Sequence, residues 1–167
     1  GPPGDCGDRP TTAPGPGDTA IFFGAPGLGN CTIDVASVGN ILIASGYTGT
    51  ITQGNGITLT GITQAGGAFT SGAYAFDLNG SFVLDAGTFS ASSGNMSVSG
   101  DWTNAGGTFT HSSGTVTFDG TSTQTIASNN QNFNNVILSN NTINLTTTAG
   151  NPLTIGGTLV ISSGKTP

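Results

Sequence analysis

The sequence predicts an all-β fold, a single-domain parallel β-solenoid (β-helix) of roughly 20-residue coils. Three observations carry that expectation. Gapless 20-residue blocks recur in the middle of the chain, apolar and small polar residues alternate within each block, and helix-forming residues are scarce. Glu is absent and Lys and Arg contribute two residues to 167, which removes much of the set that stabilises helices. Thr, Val, Ile and Phe favour strands, and Gly, Asn, Asp and Ser favour turns.

The blocks are Gly61 to Gly80, Ser81 to Gly100 and Asp101 to Gly120. Their second position holds Ile62, Phe82 and Trp102, and their ninth holds Phe69, Phe89 and Phe109. The sixteenth holds Phe76, Met96 and Val116, and the eighteenth Leu78, Val98 and Phe118. Gly67, Gly87 and Gly107 share the seventh position, and each block closes on a glycine. Within a block, Thr108-Phe109-Thr110 and Thr115-Val116-Thr117-Phe118 have the two-residue period of a strand with one buried face. Glycines and Ser/Asn pairs separate these short strands.

A residue type that returns every 20 positions stacks on itself if each block is one coil. Strands then pair in parallel about 4.8 Å apart. An antiparallel sandwich also has many short strands, but hairpins require no such identity of columns. The pattern continues more weakly upstream, from Ile41-Leu42-Ile43 to Ile57-Thr58-Leu59. Downstream it runs from Val136-Ile137-Leu138 to Leu159-Val160-Ile161. Residues 41–160 would give about six coils in a rod on the order of 30 Å long.

Residues 1–17 are rich in proline and glycine. Proline cannot donate to a β ladder, so this segment reads as an extended arm ahead of a solenoid domain over 18–167. The first strands are expected around Ile21-Phe22-Phe23 and Cys31-Thr32-Ile33. Cys6 and Cys31 form an even pair in an export-like composition, which points to a disulfide. It could join the arm to its own chain or to another.

Charged residues make up 6% of the chain and the net charge is −6, against about 25% charged in an average globular protein. With Arg9 and Lys165 as the basic side chains, ordinary phosphate-backbone binding is excluded. No apolar run reaches the length of a membrane helix.

Catalysis finds little to work with. All eight acids are Asp, and Asp77, Asp85, Asp101 and Asp119 fall at four different block positions, so they do not stack into a pair suited to general acid and base roles. His111 lies beside Ser112 and Ser113 without a G-x-S-x-G elbow, and reads as a turn histidine. Two Cys and one distant His do not make a zinc site. The calcium nonapeptide of β-rolls and the EF-hand pattern are both absent. No cofactor or metal is expected, and the chain is expected not to be an enzyme.

Thr-x-Thr pairs occur at Thr50/Thr52, Thr58/Thr60, Thr108/Thr110, Thr115/Thr117 and Thr123/Thr125. They resemble the flat threonine arrays of ice-binding solenoids. The aligned blocks interrupt them, however, with Ala68/Thr70 and Thr88/Ser90 in one column pair and Ala75/Asp77 and Asn95/Ser97 in the other. The expectation is therefore ordinary outward-facing strand positions. Five N-x-S/T sequons mark candidate glycosylation sites at Asn30, Asn79, Asn95, Asn140 and Asn144.

The phrases GNCTID, SGYTGTITQGNG, GDWTNAGGTFTHSSGTVTFDGTSTQTI and FNNVIL, spread from Gly17 to about Ile161, resemble Gly/Thr/Asn-rich repeats of bacterial surface and secreted proteins. That resemblance implies an adhesin-like or structural role at the cell surface or outside the cell, without a common enzymatic activity. No capping helix is expected at either end of the solenoid, and open coil ends expose strand edges and core. The functional expectation is a structural subunit of an extracellular filament or surface fibre. Its partners would be copies of itself in a head-to-tail homopolymer. The alternative is an adhesin or stalk module of a larger surface protein, with carbohydrate as a candidate partner.

Overall fold

The computed structural model describes residues 13–24, 29–139, 142–147 and 152–162. Its described residues contain strands and no helix. The chain enters with β1 (Thr19–Phe22), β2 (Cys31–Ile33), β3 (Ser37–Ile43) and β4 (Thr50–Gln53). The central coils carry β5 (Ile57–Thr70), β6 (Phe76–Leu78), β7 (Phe82–Ser90), β8 (Asn95–Val98) and β9 (Trp102–Asn104). Then come β10 (Thr108–Thr110), β11 (Thr115–Phe118), β12 (Gln124–Ser128) and β13 (Asn132–Phe133). The last are β14 (Asn135–Leu138), β15 (Ile143–Thr147), β16 (Thr154–Ile155) and β17 (Leu159–Ile161).

Every strand pairing among the described residues is parallel, which makes the fold a β-solenoid of about six turns and rules out the antiparallel sandwich. Three faces wind around the core. The first stacks β1, β3, the middle of β5, the start of β7, then β9, β12 and β15. The second stacks β2, β4, the end of β5, the end of β7 and β10. The third stacks the start of β3, the start of β5, then β6, β8, β11, β14 and β17. β5 is long because it runs across two corners and serves all three faces.

The inward positions follow the two-residue period. On the first face Ile41, Ile62, Phe82, Trp102 and Ile126 pair in succession, and all are buried. On the third face the columns are Phe76, Met96 and Val116, and Leu78, Val98 and Phe118, also all buried. On the second face Phe69 and Phe89 lie 5.0 Å apart with rings inclined by 3°, and Phe89 and Phe109 lie 6.1 Å apart at 7°. The phenylalanine ladder is continuous. Phe109 is only partly buried, whereas Phe69 and Phe89 are wholly buried.

Glycine columns have two physical causes. Gly67 and Gly87, at the corner between the first and second faces, have φ of 56° and 81°, which L side chains disfavour. The closing glycines instead pack against the backbone of the coil before. A Cβ on Gly80 would run into the Thr60 carbonyl oxygen, and one on Gly100 would meet Ser81 N at 2.6 Å and Gly80 O at 2.7 Å.

Polar side chains also point inward, at the corners. Gln64 Nε2 donates to the carbonyls of Gly66 at 3.0 Å and Thr88 at 3.1 Å. Gln124 Nε2 donates to Val98 O at 2.8 Å and Gly100 O at 2.7 Å, and Gln124 Oε1 accepts from Gly120 N at 2.9 Å. The buried amides thus supply donors to carbonyls turned into the rod.

The solenoid begins earlier than residue 18. Gly15 O accepts from Asp18 N at 3.0 Å and from Gly39 N at 3.1 Å, so the last residues assigned to the arm are already bonded to the first coil. Residues 1–12 of the arm, Cys6 among them, lie outside the described residues.

Tyr47 closes the first coils. It is 3% exposed, its ring sits 5.8 Å from that of Phe22, and its hydroxyl donates to Gly29 O at 2.7 Å. Burial pushes the phenol above its ordinary value, because the interior disfavours the charged phenolate. A pKa raised on folding gives stability that is complete below the unfolded value of about 10 and is lost as pH rises through the folded value. Chemical denaturation as a function of pH should thus show a decline above about pH 10, and Tyr47→Phe should remove that decline.

Candidate functional site

Stacking brings hydroxyls together on the second face. Its outward positions flank the buried Phe ladder. Pairing in succession, Thr32, Thr52, Thr70, Ser90 and Thr110 form one column. Thr50, Ala68, Thr88 and Thr108 form the column beside it. Each member is exposed or half-buried. Asn30 heads the second column, and its Oδ1 accepts from Thr50 N at 2.9 Å.

The Thr pairs stand at outward strand positions, as expected, and the columns run further than the aligned blocks display. Ile51 pairs with Phe69, 18 residues on, so Thr50 and Thr52 enter the columns two residues out of step with a constant period of 20. Cys31 pairs with Ile51, which adds Thr32 on top. Five coils thereby carry the ladder, where the aligned blocks displayed three. The other Thr pairs do not extend it: Thr58 and Thr115/Thr117 lie on the third face and Thr125 on the first.

The ladder is supported from beneath. Ile51, Phe69 and Phe89, the inward residues between the two columns, have no solvent exposure. Among the described residues no side-chain hydrogen bond engages the hydroxyls of Thr32, Thr52, Thr70, Thr88, Thr108 or Thr110, and they face solvent. No ionisable residue stands in either column.

The third face is chemically different. Its outward column reads Thr58, Asp77, Ser97, Thr117, Ile137 and Val160. Asp77 accepts from Ser97 Oγ at 2.5 Å and from Thr58 Oγ1 at 3.5 Å. Asp119 likewise accepts from Ser99 Oγ at 2.8 Å. Here carboxylates on one coil occupy the hydroxyls of adjacent coils. The outward column of the first face, with Ile21, Leu42, Thr63, Val83, Thr103 and Ala127, mixes apolar and hydroxyl residues.

The remaining sequence candidates are dispersed. Asp85 is exposed, and exposed Asp101 accepts from Thr125 N at 2.7 Å. His111 Nδ1 accepts from Ser113 N at 3.0 Å in a tight corner, where Ser112 and Ser113 have φ of 48° and 60°. Among the described residues no three His, Cys, Asp or Glu side chains gather in a way that could hold a metal ion, and no helix is long and apolar enough to cross a membrane. Asn30, Asn79, Asn95 and Asn144 are exposed, while Asn140 lies outside the described residues. Cys31 is buried and is not a free thiol.

No family model, curated protein or solved structure matches this chain.

Proposed function

We propose that this chain is a non-catalytic structural subunit of an extracellular filament, assembling head to tail through its coil ends. The observation that carries the reading is at the last coil. Leu159 and Ile161 pair with the buried Val136 and the partly buried Leu138, yet they are 48% and 41% exposed. They occupy inward columns with no further coil over them among the described residues. β15, β16 and β17 pair on one side only among the described residues, and at the opposite end so do β1 and β2.

The two ends are unlike. Phe22, Cys31 and Ile33 of the first coil are buried, whereas Leu159 and Ile161 of the last described coil are exposed. Contact between unlike ends is heterologous and propagates without closure. A strand edge of the next copy, laid against β17 in parallel, would continue the ladder and cover Leu159 and Ile161. We further assign Cys6 and Cys31 as a disulfide pair that fixes the arm, within a chain or between neighbours.

Negative-stain microscopy and sedimentation velocity over a concentration series test the reading. The expected result is fibres, and a Leu159→Asp/Ile161→Asp variant that keeps its β circular dichroism but sediments as a monomer. A wild-type chain that stays monomeric at the highest concentrations would overturn it and favour a stalk or adhesin module.

A further inference from the structure

We infer that the hydroxyl ladder of the second face is an ice-binding surface. The inference does not require filament assembly, since the ladder runs along the side of the rod and only its first row, at Thr32 on β2, belongs to a coil end.

The ligand class follows from the periodicity. Successive coils place equivalent side chains about 4.8 Å apart, and the two columns, two residues apart on each strand, are separated by about 6.7 Å. A rectangular net of hydroxyls with those two repeats is close to the oxygen net exposed on a prism face of ice. A ligand in solution meets two or three side chains at a time and gains nothing from five stacked rows. A crystalline solid meets all of them at once.

The side chains suit such a surface. Each threonine presents a hydroxyl that can take a lattice position, beside a methyl group that shelters the water next to it. Neither column carries a charge, and a charge would hold its own hydration shell against the lattice. Threonine is stiff about χ1, and its strands rest on a stacked aromatic column whose rings are nearly parallel. The array is therefore set before binding, so adsorption costs little conformational entropy.

The contrast with the other faces separates this arrangement from a general abundance of threonine. On the third face the hydroxyls of Ser97, Ser99 and Thr58 bond to Asp77 and Asp119. On the first face the outward column is interrupted by Ile21, Leu42 and Val83. The second face alone offers a charge-free ladder whose threonine hydroxyls are left to solvent. Ala68 is the single position in the two columns below Asn30 that lacks a hydroxyl.

The experiment uses the whole chain. Freezing-point hysteresis and crystal shape are read with a nanolitre osmometer, and recrystallisation is followed in frozen sucrose solution. The wild type should open a gap between melting and freezing, facet the crystal and arrest recrystallisation. Thr52→Tyr and Thr88→Tyr, at exposed ladder positions, should lose the gap with unchanged circular dichroism and melting temperature. Asn95→Tyr, exposed on the third face, should keep it. A folded wild type without hysteresis or faceting overturns the inference, as do ladder variants that retain both. Pull-down on insoluble cellulose or chitin without any hysteresis would also overturn it and assign the ladder to a solid polysaccharide.

Discussion

Trp102→Ala should cost about 3–5 kcal/mol of folding stability, read as a lower denaturation midpoint at unchanged slope. Trp102 is wholly buried at the centre of the rod. Its ring stacks on Phe82 at 4.0 Å and meets Phe109 at 4.9 Å and Phe133 at 5.0 Å, edge to face. Its Nε1 donates to Gln131 Oε1 at 3.2 Å. Alanine would remove the largest side chain from the core and leave a cavity under three faces. The surrounding strands cannot collapse into it, because each is tied by ladder hydrogen bonds to the coils above and below. Gln131 Oε1 would keep Asn104 Nδ2 at 3.3 Å, so the cost is mainly packing. Trp102→Phe should recover most of it. An alanine variant within about 1 kcal/mol of wild type would mean that the coils slide to fill the space.

Gly100→Ala should be nearly as damaging, about 3 kcal/mol, for an unrelated reason. The added methyl group meets backbone, Ser81 N at 2.6 Å and Gly80 O at 2.7 Å, and no side chain can rotate out of its way. Gly100 N also donates to Gly80 O at 2.9 Å. Two coils would have to part locally and strain the strands on either side, Val98 and Trp102, which are both core residues. Gly56→Ala is the comparison, since a Cβ there would lie 3.9 Å from the nearest atom, Ala75 O. It should change the melting temperature little. If Gly100→Ala and Gly56→Ala melt alike, close coil approach does not explain the closing glycines.

Both substitutions lie in columns that were legible before any coordinates. The alternation of Thr115-Val116-Thr117-Phe118 states which side chains go inward, because strand geometry has a period of two wherever one face is buried. The recurrence of Ile62, Phe82 and Trp102 states which of them stack. The seventh-column glycines were visible too, although their causes differ. Gly67 and Gly87 take left-handed φ, while a Cβ on Gly107 would strike the Leu84 side chain. The inward glutamines were not legible. Gln64 and Gln124 look like surface residues until the corner carbonyls they bond are placed in space.

The sequence by itself determined the coil and its inward columns across residues 61–120, where the apolar columns step by 20 residues. Only the tertiary structure decided how the outer coils register on that centre. Ile51 to Phe69 is a step of 18, Trp102 to Ile126 one of 24, and Leu138 to Ile161 one of 23. Burial period is a local property, fixed by the backbone of one strand. Register between coils depends on corner length, and corners built from Gly, Ser and Asn accept several lengths at little cost. The threonine ladder exists because the corners between Ile51 and Phe69 use two residues fewer than those that follow.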